Sequence, residues 1–213
     1  MSKKLFFYGM VAATLLSVSI VQAAINCATP IATLRSYARA IHAQNLNEAM
    51  ACISSNNKRE TDMVKTTLEI LVAHQQLSAF AVARLGPPKT SAARYMASDF
   101  TGFQTMKAKL KKAKVQINGN VARVTMPTES GKLYFKKVGH NWKMDGEKLF
   151  HLQHVNKMSA ALFAHHLLMN RRTAAVLKAT ATDIKTGKVK TWDRLFRDLR
   201  AREMAAMHSV GRH

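Results

Sequence analysis

The sequence predicts an α+β protein in which helices pack against an antiparallel meander, and three observations predict it. Between residues 113 and 146, apolar and polar residues alternate with the period of two that strands require, and turn residues separate the runs. Upstream, from Ile31 to Leu85, apolar residues recur at helical spacing. Downstream of the meander, from about Asn156 to Leu199, they do so again.

Asn118-Gly119, between two β-rich runs, is the strongest short-range hairpin signal. With these two residues as the turn, Ile117 opposes Asn120, Val115 opposes Ala122 and Ala113 opposes Val124. One face then carries Ala113, Val115, Ile117, Ala122, Val124 and Met126. A slip of one residue would scatter this set over both faces, so pattern and turn support each other. Pro127 and Gly131 punctuate a loop before the run Lys132–Val138. Pairing Met126 with Leu133 brings Phe135 to the same face. A tight turn at Gly139-His140 then sets Met144 opposite Phe135 and Trp142 opposite Lys137.

In these registers the other face aligns Lys114, Arg123, Lys136 and Lys143 side by side. Like charges directly opposed cost about 0.2–1 kcal/mol per pair. The row is therefore either an anion-binding stripe or a wet face whose long side chains splay apart, screened by salt over about 8–10 Å.

The helices have legible ends. Thr29-Pro30 supplies a capping hydroxyl and a first-turn proline, ahead of Ile31, Leu34, Ala38 and Ile41. A short second helix follows Gln44–Asn47, with Ala49, Met50 and Ile53 inward. A long third helix runs from about Arg59 to Leu85, with Met63, Thr67, Ile70, Leu71, His74, Leu77, Ala81 and Leu85 near one face. Gly86-Pro87-Pro88 ends it. The stretch Lys89–Gly102 is ambiguous, and Phe103–Lys112 reads equally as a strand with a bulge before Ala113 or as a short helix or irregular lead-in. After the meander, Asn156 is placed to cap a helix carrying Met158, Leu162, His165, Leu168 and Met169, with a break near Asn170. Thr191 caps a last helix, with Leu195, Phe196 and Leu199 inward and Arg194, Arg197, Arg200 and Arg202 largely outward.

Lys3 and Lys4 precede an uncharged, mostly apolar run from Leu5 to Val21, and Val21-Gln22-Ala23 presents small residues where a signal peptidase reads. The expectation is a signal peptide over 1–23 and a mature protein that is periplasmic or secreted, without a further transmembrane segment. An uncleaved anchor is the alternative. Losing Lys3 and Lys4 lowers the net charge from +21 to +19. Cys27 and Cys52 both follow the cleavage point, so an exported chain is expected to bridge them; two buried free thiols are the alternative.

Two features of the meander resemble the nuclear-transport-factor-like proteins, which share the cone-shaped α+β fold of ketosteroid isomerase. They are the strand–Asn118-Gly119–strand unit and the run Gly139-His140-Asn141-Trp142-Lys143. The resemblance covers roughly Ala28 to Lys148. It implies N-terminal helices packed on a curved antiparallel sheet over residues 24–148, followed by a C-terminal helical extension over 149–213. It also implies space for a pocket between sheet and third helix, lined by Tyr37, His74, Phe135, Trp142 and Met144. The fold hosts enzymes, binding modules and assembly domains alike, so it does not select an activity.

Chemistry-bearing motifs are sparse. The apolar face holds no acid or histidine in its four strands. His74, Tyr37, Tyr95, Asp99, Asp145 and Glu147 are the nearest candidates, and none forms a catalytic pattern. His151 and His154, three apart, would share one helical face, but no third metal ligand stands nearby. There is no Gly-rich phosphate loop, nucleophile elbow or zinc-protease signature. No cofactor and no metal is expected. Nucleic-acid binding is disfavoured, because Tyr134 is the one aromatic on the cationic face.

The balance of 33 basic to 12 acidic residues favours anionic partners. The expected function is non-catalytic binding of an anionic surface, polymer or protein partner through Lys114, Arg123, Lys136 and Lys143. The alternatives are a small-molecule binder or enzyme using the pocket, and a scaffold that assembles with a partner or a second copy through residues 149–213.

Overall fold

A computed structural model of the chain describes residues 25–94, 96, 109–127 and 132–208. Residues 1–24, with the expected signal peptide, and Tyr95, Asp99 and residues 128–131, where a loop is expected, lie outside the described residues.

Helix α1 (Pro30–His42) begins as its sequence dictates: the Thr29 hydroxyl accepts from Ala32 N at 3.1 Å. Helix α2 (Leu46–Ala51) is capped by Asn45, which accepts from Glu48 N. Helix α3 (Lys58–Leu85) starts at Asn57 and stops at Gly86, whose φ of +74° suits glycine.

The sheet follows the order β1-β5-β4-β3-β2. Strands β2 (Lys114–Asn118), β3 (Val121–Thr125), β4 (Lys132–Val138) and β5 (Asn141–Asp145) form the antiparallel meander. Strand β1 (Ile53–Ser54) pairs parallel with β5, so the sheet is mixed and not purely antiparallel as expected. Ile53 thereby leaves the inner side of α2, where its spacing had placed it. The free edge of β5 draws it away: Met144 N donates to Cys52 O at 2.8 Å.

The first hairpin turns one residue later than expected. Asn118 pairs with Val121 and Ile117 with Ala122, so the turn is Gly119-Asn120. Gly119 takes φ +56°, and Asn120 is not in the left-handed region. Placing Gly first needs a single positive φ, which glycine supplies without strain, whereas an Asn118-Gly119 turn would force Asn118 there as well. Asn120 O then accepts from Lys137 N at 2.8 Å and lengthens the β3–β4 ladder. The β3–β4 register shifts by the same amount, pairing Val124 with Leu133 and Ala122 with Phe135. Both shifts are even, so every side chain keeps its expected face. The β4–β5 hairpin pairs Phe135 with Met144 and Lys137 with Trp142, as expected.

Among the described residues, helices cover β3, β4 and β5 but not β2. Val124, Phe135 and Met144 are fully buried, while Val115 and Ile117 on the same face are 37% and 59% exposed. Burying a side chain of that size contributes about 1.5–3 kcal/mol. The first core joins Leu34, Val64 and Leu68 to the sheet. A second core gathers Ala73, Leu77 and Ala81 of α3 with Ala93, Met96, Leu177, Ile184, Trp192 and Leu195. Helix α3 threads both, which is why its buried residues are not one stripe. Leu71, expected inward, is 39% exposed.

Beyond β5 come a short helix α4 (Gly146–Leu149), a 3-10 helix over Leu152–Lys157, α5 (Ala160–Lys185) and α6 (Trp192–His208). Helix α5 runs alongside α3 in the same direction, with Asn170 Nδ2 donating to Thr66 Oγ1 and Lys185 over the Phe80 ring. The expected break at Asn170 is absent. Asn156 does not cap this helix; Ser159 does, because Asn156 is engaged by Glu60. Leu162 and Leu168, expected inward, are exposed. Helix α6 returns antiparallel along α5, and Arg202 turns inward to Asp183.

Candidate functional site

The polar face of the sheet carries Lys114 from β2, Arg123 from β3, Lys132, Tyr134 and Lys136 from β4, and Lys143 from β5. Register sets their spacing. Lys136 stands directly opposite Lys143, Arg123 lies between Gln116 and Tyr134, and Lys114 faces Thr125. Same-face rungs are about 7 Å apart. The four cations therefore make a diagonal over three rungs and not the single row expected. Like charges meet directly only at Lys136 and Lys143.

Their surroundings differ. Lys136 Nζ lies 3.2 Å from Asp145 Oδ2 and 3.3 Å from Asn56 Oδ1. Asp145 is buried, and its Oδ1 has no hydrogen-bond partner among the described residues. Arg123 donates to Gln116 Oε1. Lys114 is exposed and Lys143 half-buried. Lys148, from α4, places its ammonium 4.3 Å from the centroid of the Tyr134 ring.

Beside this face lies a polar network that the charge pattern did not reveal. Glu60 Oε2 accepts from Asn56 N at 2.8 Å, and Oε1 accepts from Asn57 Nδ2 and Asn156 Nδ2. Asn56 Nδ2 donates to Glu147 Oε2 at 3.2 Å. Burial pushes the Glu60 carboxyl up. The Asn56 N–H and the three amides outweigh that and hold it below the usual carboxylate range. The legible signal was Asn57-x-x-Glu60, the spacing of a helix-capping pair.

The five residues expected to line a pocket do not stay together. Tyr37, Phe135, Trp142 and Met144 share the first core, with Phe135 and Met144 opposed across β4 and β5 at 1% and 2% exposure. Burial pushes the Tyr37 hydroxyl up to about 12, with nearby Cys52 adding to the shift. His74 lies further along α3, where Ala73 and Leu77 belong to the second core.

Cys27 and Cys52 are both buried and carry free thiols, so the expected bridge is not closed in this structure. Burial, then the adjoining Cys27, pushes the Cys52 thiol up to about 12. His151 takes φ +54° ahead of the 3-10 helix that holds His154, so the two do not share one α-helical face. Among the described residues no three His, Cys, Asp or Glu side chains gather as metal ligands.

Four acidic groups are turned inward, while Asp193 is exposed. Glu60 and Asp145 are buried, and the Glu48 and Asp183 side chains are 17% and 14% exposed. Glu48 faces Arg39, Asp183 faces Arg202 and Lys188, and Asp198 faces Arg194. Lys114, Lys132, Lys137, Lys178, Lys190, Arg197 and Arg200 are all exposed.

No helix among the described residues is long and apolar enough to cross a membrane. Comparison with protein-family models, with characterised proteins and with solved structures finds no match to this chain.

Proposed function

We propose that this chain is an exported, non-catalytic protein that binds an anionic polymer or cell-envelope surface through its basic exterior. One observation carries the reading. With Glu48, Glu60, Asp145 and Asp183 buried or ion-paired, exposed lysines and arginines dominate the outer surface of a mature chain of net charge +19. The diagonal of Lys114, Arg123 and Lys143 is the sheet's part of that surface. In this reading residues 24–148 form a nuclear-transport-factor-like cone, and α5 and α6 are an extension that adds Arg197 and Arg200. An acidic protein partner would meet the same groups.

The test is retention on heparin and on phosphatidylglycerol vesicles over a salt series. Lys136 must be left in place, because Asp145 depends on it. The variant Lys114→Gln/Arg123→Gln/Lys143→Gln should elute at lower salt and show a shallower salt dependence. The variant Arg197→Gln/Arg200→Gln reports the helical face. Unchanged retention of both, with folding intact by circular dichroism, would overturn the proposal. Fractionation of cells expressing the full chain should place a mature protein beginning at Ala24 outside the cytoplasm.

A further inference from the structure

The geometry points to Cys27 and Cys52 as a disulfide that closes during folding and locks the outer edge of the sheet. Strand β5 has β4 on one side. On the other, two of its amides reach short segments that are distant in sequence: Trp142 N donates to Cys27 O at 2.7 Å, and Met144 N donates to Cys52 O at 2.8 Å. Amides two residues apart along a strand edge lie about 7 Å from one another. Both cysteine carbonyls therefore dock at neighbouring positions of one strand edge, and a disulfide needs their α-carbons within roughly 4.4–6.8 Å. The two side chains adjoin, for Cys27 acts directly on the Cys52 thiol.

The edge needs a lock. An uncovered strand edge pairs with other chains. Among the described residues the cover is Cys27 and the two-residue β1, held by side-chain bonds from Thr33 Oγ1 to Trp142 O and from Ser54 Oγ to Met144 O. A covalent link between the two covering segments would hold both in place.

The order of events follows from burial. Cys27 and Cys52 are 7% and 0% exposed, so an external disulfide cannot reach them in the folded protein. The bond must form while the chain is open, by thiol–disulfide exchange with a disulfide oxidant. One cysteine thiolate attacks the oxidant to give a mixed disulfide, releasing one thiol. The second cysteine thiolate displaces the other. Two protons and two electrons leave the pair, and the oxidant becomes two thiols. The inference is independent of what the basic surface binds.

The full chain is unfolded in urea, reduced, and refolded with a mixture of oxidised and reduced glutathione. A parallel sample is folded reduced first and then given the same mixture. Alkylation in denaturant followed by peptide mapping should find a Cys27–Cys52 bond in the first sample. In the second it should form at least tenfold more slowly. Hydrogen exchange at the Trp142 and Met144 amides should be slower in the oxidised protein than in the same protein reduced with a phosphine. Two free thiols in the first sample, or only glutathione adducts and intermolecular bonds, would overturn the bridge. Equal oxidation rates would overturn the ordering. Equal amide exchange would overturn the lock.

Discussion

Lys136 and Asp145 meet on the polar face of the sheet at 3.2 Å, and the carboxylate is only 3% exposed. Among the described residues Lys136 is its one ion-pair partner, and Asp145 Oδ1 has no hydrogen-bond partner there. Removing one member of a buried pair costs about 3–5 kcal/mol. The Lys136 side chain is 34% exposed, so water recovers part of the loss and about 1–2 kcal/mol remains. Lys143 stands directly opposite, and no ion pair joins it to a carboxylate among the described residues. Lys136→Gln should lower the urea midpoint clearly, while Lys143→Gln should change stability by no more than about 0.5 kcal/mol. Equal midpoints for the two variants would contradict this account.

Gly146 marks where β5 turns into α4. A Cβ there would sit 2.7 Å from Ser54 O and 2.9 Å from Ile53 Cγ2. The first contact is backbone of β1 and cannot swing aside. Gly146→Ala should therefore push β1 off β5 and cost about 1–3 kcal/mol. Gly187, with φ +76° and open space around its Cβ position, gives the contrast. Gly187→Ala should cost only backbone strain, about 1 kcal/mol. Thermal unfolding of both variants checks the ranking.

The contrast between what was legible in the residues and what was not follows the range of each interaction. Thr29-Pro30, Gly86 and Gly139-His140 act within a few residues, and α1, α3 and the second hairpin follow them. The apolar alternation fixed which side of β3, β4 and β5 is buried, because parity survives an even shift of register. It could not fix the register itself, since Asn118, Gly119 and Asn120 offer two turns with the same parity. That ambiguity, together with the separate two-residue shift between β3 and β4, turned the row of cations into a diagonal.

Contacts between distant segments left no periodic signal. Nothing near Ile53 announces a parallel partner ninety residues on, and β1 exists because β5 has a free edge. Likewise Asn156 reads as a cap until Glu60 is folded against it. Arg202 reads as an outward charge until Asp183 of the preceding helix is folded against it.

Acid should weaken the protein through Glu60. Its folded carboxyl is held below the ordinary value of 4.5, so its contribution is present above that value and lost as pH falls through the lowered one. Asp183, held below 3.8 chiefly by the hydrogen bond from Arg202, acts in the same sense at lower pH. Glu60→Gln should flatten the fall in unfolding free energy between about pH 5 and pH 3. An unaltered acid limb would show that Glu60 titrates alike in folded and unfolded chains.

Base should weaken the reduced protein for the opposite reason. Cys52 and Tyr37 are raised from 9.0 and 10.0 to about 12 by burial, so their neutral forms are favoured in the fold. Stability is full below the unfolded values and lost as pH rises from about 9 toward 12. Cys52→Ala should remove the part of the loss that begins near pH 9 and leave the Tyr37 part, beginning near pH 10. Urea midpoints of both reduced proteins across that range measure the difference.

The two cores should respond separately to damage at the far end of α3. Trp192 is 8% exposed and its Nε1 donates to Gly86 O at 3.2 Å, joining the start of α6 to the end of α3. Trp192→Phe keeps most of the packing and loses a hydrogen bond, costing about 1 kcal/mol. Trp192→Ala also opens a cavity among Leu177, Ile184 and Leu195, for about 3–5 kcal/mol. The sheet core, with Phe135 and Met144, shares only α3 and α5 with that region. In Trp192→Ala, hydrogen exchange should therefore speed up at amides of α6 and of residues 177–184, while the β4–β5 amides keep their protection. Loss of protection at Phe135 and Met144 to the same degree would mean that the long helix makes both cores one cooperative unit.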